Sequence, residues 1–400
     1  MKYDFVFEGG GAKGMVFVGA YNELVRRGHS PGRLLGTSAG AITATLLAAG
    51  YTPQEMLDAL NERENDQSVF AGFMGDPSPF SKEEISASGI RKLLRDINLK
   101  FVPNFIEENM DNAIAGMLAE NARSRHLFAF VERGGWYAAD RFVTWMRKKL
   151  DSGSWKTGQR QFSGMTLKQF FDETRMELSV VASDTSEGRL LVLNHLTAPE
   201  CPLVWAVRMS MSIPLVWNEV VWEDSWGLYL ERPMKGHLIV DGGMLSNFPI
   251  ELFISDEPQV TRLMGPKQDA PILGLLIDET LAVGPAQRGI LVDIDVKPGE
   301  LKTVQRFKRL VDTMTGAHDK MVIEEFEHLV VRLPAAGYGT TEFDMSDARR
   351  AALVAAGERA VGSYFEHPPA PRPIPRGMED VASEKAKKTA DRMAAKILGF

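Results

Sequence analysis

Residues 3–14, Tyr3-Asp-Phe-Val-Phe-Glu-Gly-Gly-Gly-Ala-Lys-Gly14, open the chain with a β-rich run followed by a glycine cluster. Apolar residues at helical spacing follow from Met15 to Arg27, so the pattern predicts strand, tight loop and helix. The unit repeats, because a short buried strand at Leu34-Leu35 precedes a small-residue helix that starts around Ser38 and ends near Gly50. Alternating strands and helices predict an α/β fold with a mostly parallel central sheet and ligand chemistry at the carboxyl ends of its strands.

The rest of the chain predicts an insertion, a return to the sheet and a helical tail. Residues 72–135 are charged, amphipathic and helical in pattern, typical of an inserted cap. Strand patterns then return at residues 176–182, 190–193, 238–240 and 272–277, and helical patterns at residues 301–325 and 347–365. A proline-rich linker precedes a last helix near residues 380–398. We therefore predict one domain over residues 1–366, with the cap inserted, and a linker plus C-terminal helix over residues 367–400.

Composition narrows the function classes. The 400 residues are 44% apolar and 25% charged, as in an ordinary globular protein, and 46 basic against 53 acidic residues give a net charge of −7. This charge disfavours nucleic acid as a partner. A single cysteine, Cys201, excludes an intrachain disulfide and any cysteine-rich metal site. No signal peptide or membrane-spanning run is visible, so we expect a cytoplasmic protein, with peripheral membrane contact or export by another route left open.

The glycine cluster fits G-x-G-x-x-G, but it does not fit the usual nucleotide sites. A dinucleotide site needs an acidic residue at the end of the next strand, which here runs Leu34-Leu35-Gly36. The P-loop motif fails because Met15 stands where lysine is required. The remaining interpretations are backbone N–H groups at a helix start that stabilise a developing negative charge, or a glycine turn that only packs helix on strand.

The second motif, Gly36-Thr37-Ser38-Ala39-Gly40, is G-x-S-x-G at a strand-to-helix turn, the context in which a serine hydroxyl projects as a nucleophile. The alternative is a serine that merely caps the helix. A nucleophilic serine needs a proton acceptor, and Asp241, followed by Gly242 and Gly243, leaves the strand at residues 238–240. An Asp-Gly pair is also a common turn.

Histidine and metal sites are not indicated. None of the seven histidines has the context of a general base, although His195 follows a strand and His237 precedes one. Asp293 and Asp295 share one strand face, which is more typical of a solvated face than of a metal site. We therefore assign no metal and no cofactor.

Taken together, the three motifs resemble the signature of the patatin-like phospholipase family. The stretches Arg208-Met-Ser-Met-Ser-Ile-Pro214 and Gly135-Trp-Tyr-Ala-Ala-Asp140 also resemble segments of that family. The resemblance implies a three-layer α/β sandwich and a lipid acyl hydrolase acting on phospholipids or other acyl esters. It implies Ser38 as the nucleophile, Asp241 as the proton acceptor, and an oxyanion hole from the N–H groups around Gly10, Gly11 and Ala12, within the loop Gly9, Gly10, Gly11, Ala12, Lys13 and Gly14. Lys13 either orients this loop, attracts phosphate or points into water.

Two other functions stay open. One is a serine hydrolase or acyltransferase whose base is His195 or His237, and the other is a non-catalytic nucleotide-binding or scaffold protein on a Rossmann-like sheet. The amphipathic cap either packs on the catalytic sheet or, near Phe70, Phe73, Met74 and Phe80, also opens onto lipid. The lipid substrate, any activating partner and the oligomeric state are not determined by the sequence.

Overall fold

The computed structural model describes residues 1–98, 107–156, 158–284, 325–368 and 379–399. Most of the predicted helix at residues 301–325, and both Asp293 and Asp295, lie outside these described residues.

An eight-stranded sheet forms the centre of the fold. Its strands are β1 (Lys2–Phe7), β2 (Ser30–Thr37), β3 (Leu178–Asp184), β4 (Arg189–Leu193), β5 (Val220–Val221), β6 (Leu238–Asp241), β7 (Ile272–Ala282) and β8 (Val330–Ala336). The order is β5-β6-β3-β2-β1-β7-β8, and β4 pairs with β3. Strands β3, β2, β1, β7 and β8 are mutually parallel, whereas β4, β5 and β6 join by antiparallel pairing. The predicted, mostly parallel sheet is confirmed.

Helices cover both faces of this sheet and also make up the insertion. They are α1 (Val16–Arg26), α2 (Ala39–Ala48), α3 (Pro53–Leu60), α4 (Lys82–Ala87), α5 (Gly89–Asn98), α6 (Glu107–Glu120), α7 (Ala122–Glu132), α8 (Asp140–Leu150), α9 (Leu167–Thr174), α10 (Leu203–Ser210), α11 (Glu251–Ile254), α12 (Pro258–Met264), α13 (Asp347–Glu366) and α14 (Glu379–Leu398). Alternation along β1 sends Phe5 and Phe7 into the core under α1 and α2, and Val6 into a second core under α11 and α12. The architecture is therefore a three-layer α/β sandwich.

Small ribbons and turns complete the chain. The two-stranded ribbons are Arg63–Glu64 with Gln67–Ser68, Gly135–Tyr137 with Leu215–Trp217, Ser154–Trp155 with Gly158–Gln159, and Leu228–Tyr229 with Arg232–Pro233. The 3₁₀ turns are Gly11–Met15, Val69–Phe73, Asp224–Trp226, Gly242–Met244 and Glu327–Leu329.

Two features at the sheet differ from the sequence pattern. Strand β8 was not predicted, and it tolerates Pro334 because it lies at the edge of the sheet, where a missing N–H need not break a ladder. Pro31 and Gly32, which suggested a turn, lie at the start of β2 next to a register shift against β1. Proline has no N–H to donate, and it is tolerated near the beginning of a strand, where few hydrogen bonds of the ladder are lost.

The insertion is helical, as predicted, and carries a small core of its own. Ile85, Ile114, Leu118 and Phe128 form a separate apolar cluster among α4, α6 and α7. Phe80 packs on Phe128 with ring centroids 4.6 Å apart. Of the four residues in the interpretation that opens the cap onto lipid, Phe70 and Phe73 are buried against Trp145 in the main core, and Met74 and Phe80 are half-buried.

Strand register brings two strand ends together. The last residue of β2, Thr37, pairs with Val181 of β3, and the last residue of β6, Asp241, pairs with the adjacent Ala182. Strand β2 runs parallel to β3 and β6 runs antiparallel to it, so their carboxyl ends converge from opposite directions on one point of β3. Ser38, the next residue after Thr37, therefore lies beside Asp241.

The C-terminal helix α14 packs on the second face of the sheet. Ala390, Ala394 and Ile397 are buried in the core under α11 and α12. The Ser255 hydroxyl donates to the Asp391 carboxylate at 2.5 Å, which fixes the helix against the end of α11. No described helix is long and apolar enough to cross a membrane.

Candidate active site

The turn between β2 and α2 holds Ser38 in an unusual conformation. Ser38 has φ 52° and ψ −118°, a region that residues other than glycine rarely adopt. Such a sharp turn requires small neighbours, since a Cβ on Gly40 would lie 2.3 Å from the carbonyl oxygen of Phe7. The Ser38 side chain is placed at the start of α2 and accepts no hydrogen bond from the backbone of that helix, so the capping interpretation is not supported.

The glycine loop lies directly against this turn. A Cβ on Gly9 would be 3.1 Å from Cβ of Ser38, which shows how closely the loop backbone approaches the serine. Among the described residues, nothing accepts a hydrogen bond from the N–H groups of Gly10 and Gly11. The N–H of Ala12 donates instead to the Thr340 carbonyl at 2.8 Å. Two of the three predicted oxyanion donors are therefore available in this structure, and the third is already occupied.

Lys13 does not point into water. Its side chain is 4% exposed and forms an ion pair with Glu279 of β7. The contact ties the glycine loop to the neighbouring parallel strand, which favours the loop-orienting interpretation of Lys13.

Asp241 is buried at the end of β6. Its Oδ1 accepts a hydrogen bond from the Gly243 N–H at 2.8 Å. The pKa of Asp241 is raised to about 7, because the effect of burial exceeds the opposing effects of the Ser38 hydroxyl and the Gly243 N–H. Within the described part of the chain, Oδ2 makes no hydrogen bond of standard geometry and is buried. A carboxylate with a raised pKa beside a serine hydroxyl is a suitable proton acceptor.

One segment links the nucleophile turn to the Asp241 turn. The Ser38 N–H donates to Ser210 Oγ at 2.9 Å, and the Asp241 N–H donates to the Ser212 carbonyl at 2.9 Å. The Arg208 guanidinium donates to Ser212 Oγ and, at 2.7 Å, to the Asn218 carbonyl; burial lowers the pKa of Arg208 to about 10. The sequence marked this stretch only through its resemblance to the family, because contacts across some 170 residues leave no local pattern.

Asn247 joins the glycine loop to the turn after Asp241. Its side-chain Nδ2 donates to Glu8 Oε1 at 3.1 Å and to the Gly9 carbonyl at 3.0 Å. Its main-chain carbonyl accepts from the Gly9 N–H at 3.2 Å. Glu8 Oε2 accepts from the Ile277 N–H at 2.5 Å. Asn247 carries no sequence signal, since an asparagine six residues after Asp241 belongs to no motif.

Removing the Ser210 hydroxyl is expected to lower both stability and activity. In Ser210→Ala the buried Ser38 N–H loses its acceptor, which costs about 1–3 kcal/mol of unfolding free energy. A displaced Ser38 should lower kcat for a soluble ester by up to about 100-fold with little change in KM. Urea unfolding and steady-state kinetics measure the two effects.

Ser246→Ala is the matched control for this prediction. Ser246 is also buried, and its hydroxyl has no hydrogen-bond partner among the described residues. Its removal should leave both stability and kcat close to wild type. Equal behaviour of the two variants would contradict a positioning role for Ser210.

The two candidate histidines are engaged elsewhere. His195 stacks on Phe171 with ring centroids 3.7 Å apart, and His237 contacts Asp184 at 2.9 Å through Nδ1. Neither of them lines the space around Ser38. Within the described residues, no group of three or more His, Cys, Asp or Glu side chains could hold a metal ion.

An apolar cavity extends from Ser38. The lining residues are Gly11, Ala12, Gly14, Met15, Val18, Ser38, Ala39, Ile42, Thr43, Leu46, Met56, Ala59, Leu60, Phe70, Phe73, Trp145, Met211, Ile213, Trp217 and Phe343. None of these residues carries a charge. The cavity is therefore suited to an apolar group attached to a reactive centre at Ser38.

The fold and this site are those of an α/β protein with a serine at a strand-to-helix turn and a buried carboxylate beside it. The family model described as Patatin-like phospholipase matches residues 5–254, more than half of the chain, and the chain belongs to the patatin-like phospholipase family.

Individual relatives are distant. The uncharacterized protein YqhO of Bacillus subtilis (strain 168) is 26% identical over 373 residues, covering 92% of this chain and 99% of that protein. Probable lipid hydrolase 463L of Invertebrate iridescent virus 6 is 22% identical, with 62% of each chain covered. Among solved structures, VipD from Legionella pneumophila aligns over 98% of this chain and 74% of its own, with 15% identity and a TM-score of 0.45.

Proposed function

We propose that this protein is a lipid acyl hydrolase of the phospholipase A or lysophospholipase type, which cleaves carboxylic esters through a Ser38–Asp241 dyad and an acyl-enzyme. The observation that carries the proposal is the buried Asp241 carboxylate, with its pKa raised to about 7, interacting with the Ser38 hydroxyl at the wall of an apolar cavity. Family membership and the probable lipid hydrolase among the relatives support an ester of a lipid as the substrate.

In the acylation half-reaction, Ser38 Oγ attacks the ester carbonyl carbon and its proton passes to Asp241. The carbonyl oxygen becomes an oxyanion that accepts hydrogen bonds from the Gly10 and Gly11 N–H groups. When the tetrahedral intermediate collapses, the bond to the leaving alcohol breaks and Asp241 returns the proton to that alcohol. The acyl chain stays bound to Ser38 in the apolar cavity.

Deacylation repeats these steps with water. Asp241 accepts a proton from water as the water oxygen attacks the acyl carbon, and the same N–H groups stabilise the second oxyanion. Collapse releases the free acid, and the proton on Asp241 returns to Ser38 Oγ. The raised pKa of Asp241 makes both proton transfers easier than an ordinary aspartate would, because the basicity of the carboxylate rises with its pKa.

Contact with a lipid surface is part of this proposal. Large exposed apolar side chains on the cap include Leu93, Met117, Leu127 and Val131. With a net charge of −7, the protein would rely on such apolar contacts more than on attraction to anionic headgroups. We therefore predict that the cap contacts membranes peripherally.

A fluorophosphonate probe tests the proposal directly. It should label Ser38 in the wild type and not in Ser38→Ala, since only an activated serine reacts. His195→Ala and His237→Ala should label and hydrolyse like the wild type, because neither histidine lies at the cavity. Loss of labelling in either histidine variant would favour a histidine-dependent hydrolase, and an unlabelled wild type would favour a non-catalytic protein.

The pH dependence of catalysis follows from Asp241. Its folded-state pKa of about 7 means that the carboxylate is protonated, and unable to accept a proton, at lower pH. We expect kcat/KM to rise with pH to a plateau, with a midpoint near 7, and to fall about tenfold per pH unit on the acid side. Hydrolysis of a soluble, uncharged ester measured by pH-stat, with circular dichroism at each pH as the control for folding, would show this. A flat profile between about pH 5 and 8 would contradict Asp241 as the acceptor.

A further inference from the structure

The cavity follows helix α2 away from Ser38. Ala39, Ile42, Thr43 and Leu46 line it, at the spacing of a single helix face. With a rise of about 1.5 Å per residue, Leu46 lies about 10 Å along the helix axis from Ala39. The cavity is therefore an elongated space that begins at the nucleophile.

The walls of this space offer an acyl chain little besides apolar contact. The hydroxyl of Thr43 donates to the Ala39 carbonyl at 3.1 Å, so the helix itself satisfies it. The indole N–H of Trp217 donates to the Phe73 carbonyl at 3.0 Å. A charged headgroup has no counter-ion among the described lining residues, whereas a hydrocarbon chain would contact Ile42, Leu46 and the surrounding rings.

Buried side chains line the end remote from Ser38. Leu46 of α2 and Met56, Ala59 and Leu60 of α3 line the same cavity, and each of these four residues is 9% exposed or less. Interiors of this kind are close-packed, so a chain that reaches these side chains cannot extend further without displacing them.

From this geometry, and on the basis of the proposed function, we propose that the cavity accepts one unbranched acyl chain of medium length, and that Leu46, Met56 and Leu60 set its limit. Carbon–carbon bonds of about 1.5 Å at angles near 111° advance an extended chain by about 1.25 Å per carbon. The length of about 10 Å along α2 thus matches about eight to ten carbons. The protein therefore selects esters of medium-chain acids as its substrate class.

The test is the acyl-chain profile of the full-length protein. Initial rates on p-nitrophenyl esters from acetate through octanoate and decanoate to palmitate should give the highest kcat/KM at octanoate or decanoate. Leu46→Ala should raise the palmitate-to-decanoate ratio of kcat/KM by about tenfold, because each accommodated methylene adds about 0.8 kcal/mol of burial. Ala59→Met should shift the optimum to a shorter ester, because the longer side chain would fill the end of the cavity remote from Ser38.

Leu47→Ala is the matched control. Leu47 is the next residue of α2 and is buried to a similar extent, but it does not line the cavity. Its chain profile should keep the wild-type optimum even if total activity falls. Circular dichroism melts identify any unfolded variant, and Leu46→Val gives a smaller shift in the same direction if Leu46→Ala does not fold.

Binding of free acids separates the cavity from the chemistry. In Ser38→Ala, decanoate should quench the fluorescence of Trp145 and Trp217, which line the cavity, at lower concentration than palmitate does. A folded wild type that hydrolyses no ester while decanoate still binds would overturn the proposed function and leave the chain-length assignment standing. A wild-type optimum at acetate or palmitate, or a profile that Leu46 and Ala59 variants leave unchanged, would overturn the chain-length assignment.

Discussion

Ser38→Ala and Asp241→Asn are each expected to abolish ester hydrolysis while leaving the fold intact. In the proposed mechanism Ser38 supplies the attacking oxygen, and the buried Asp241 carboxylate accepts its proton. Loss of either residue should lower kcat by roughly 10⁴-fold or more, and the double variant should be no worse than the single ones, because residues that act as a unit are non-additive. Hydrolysis of a soluble octanoate ester provides the measurement.

The controls for this prediction use the same substrate. Ser246→Ala removes another buried hydroxyl from the turn that follows Asp241 and should keep wild-type rates. Circular dichroism of each variant excludes loss of the fold as the cause of inactivity. Substantial turnover in Asp241→Asn, or a double variant much slower than either single variant, would show that the two residues do not form a dyad.

The same Asp241→Asn substitution is expected to stabilise the fold at alkaline pH. The pKa of Asp241 rises from 3.8 to about 7 on folding because burial disfavours the charged form. The folded state therefore holds its proton more tightly than the unfolded state does. At 1.36 kcal/mol per pKa unit, ionised Asp241 costs up to about 4 kcal/mol of stability above its folded-state pKa.

The sign of this effect sets the pH window. The cost is absent below the unfolded pKa, grows as pH rises from about 4 to 7, and is complete above that range. Asparagine avoids it, keeps an oxygen to accept from the Gly243 N–H, and can direct its amide group toward Ser38. Urea unfolding should show Asp241→Asn more stable than wild type by about 2–4 kcal/mol near pH 8, with little difference near pH 4. The same difference at both pH values would mean that Asp241 ionisation does not limit stability.

Sequence patterns alone predicted most of the sheet and the outline of the candidate site. The runs at Tyr3–Phe7 and Leu34–Leu35 alternate with glycine-rich turns and apolar helices, and such periodicities are local, so they can be read without knowing what packs on them. Gly36–Gly40 predicted a sharp turn because only small residues fit one. Asp241 could be placed at the end of a strand, but only the resemblance to the family paired it with Ser38.

Only the tertiary structure determined which groups surround these motifs and what pKa Asp241 has. The pairing of Thr37 and Asp241 with adjacent residues of β3 brings two distant strand ends together. The Ser210 hydroxyl, also far away in the chain, accepts a hydrogen bond from the Ser38 N–H. The pKa of Asp241 depends on how completely other segments exclude water from it. Register, desolvation and long-range hydrogen bonds arise from residues far apart in the chain. The sequence by itself thus determined which residues could react, and the packing of the whole chain decided their contacts, their proton affinity and the cavity beside them.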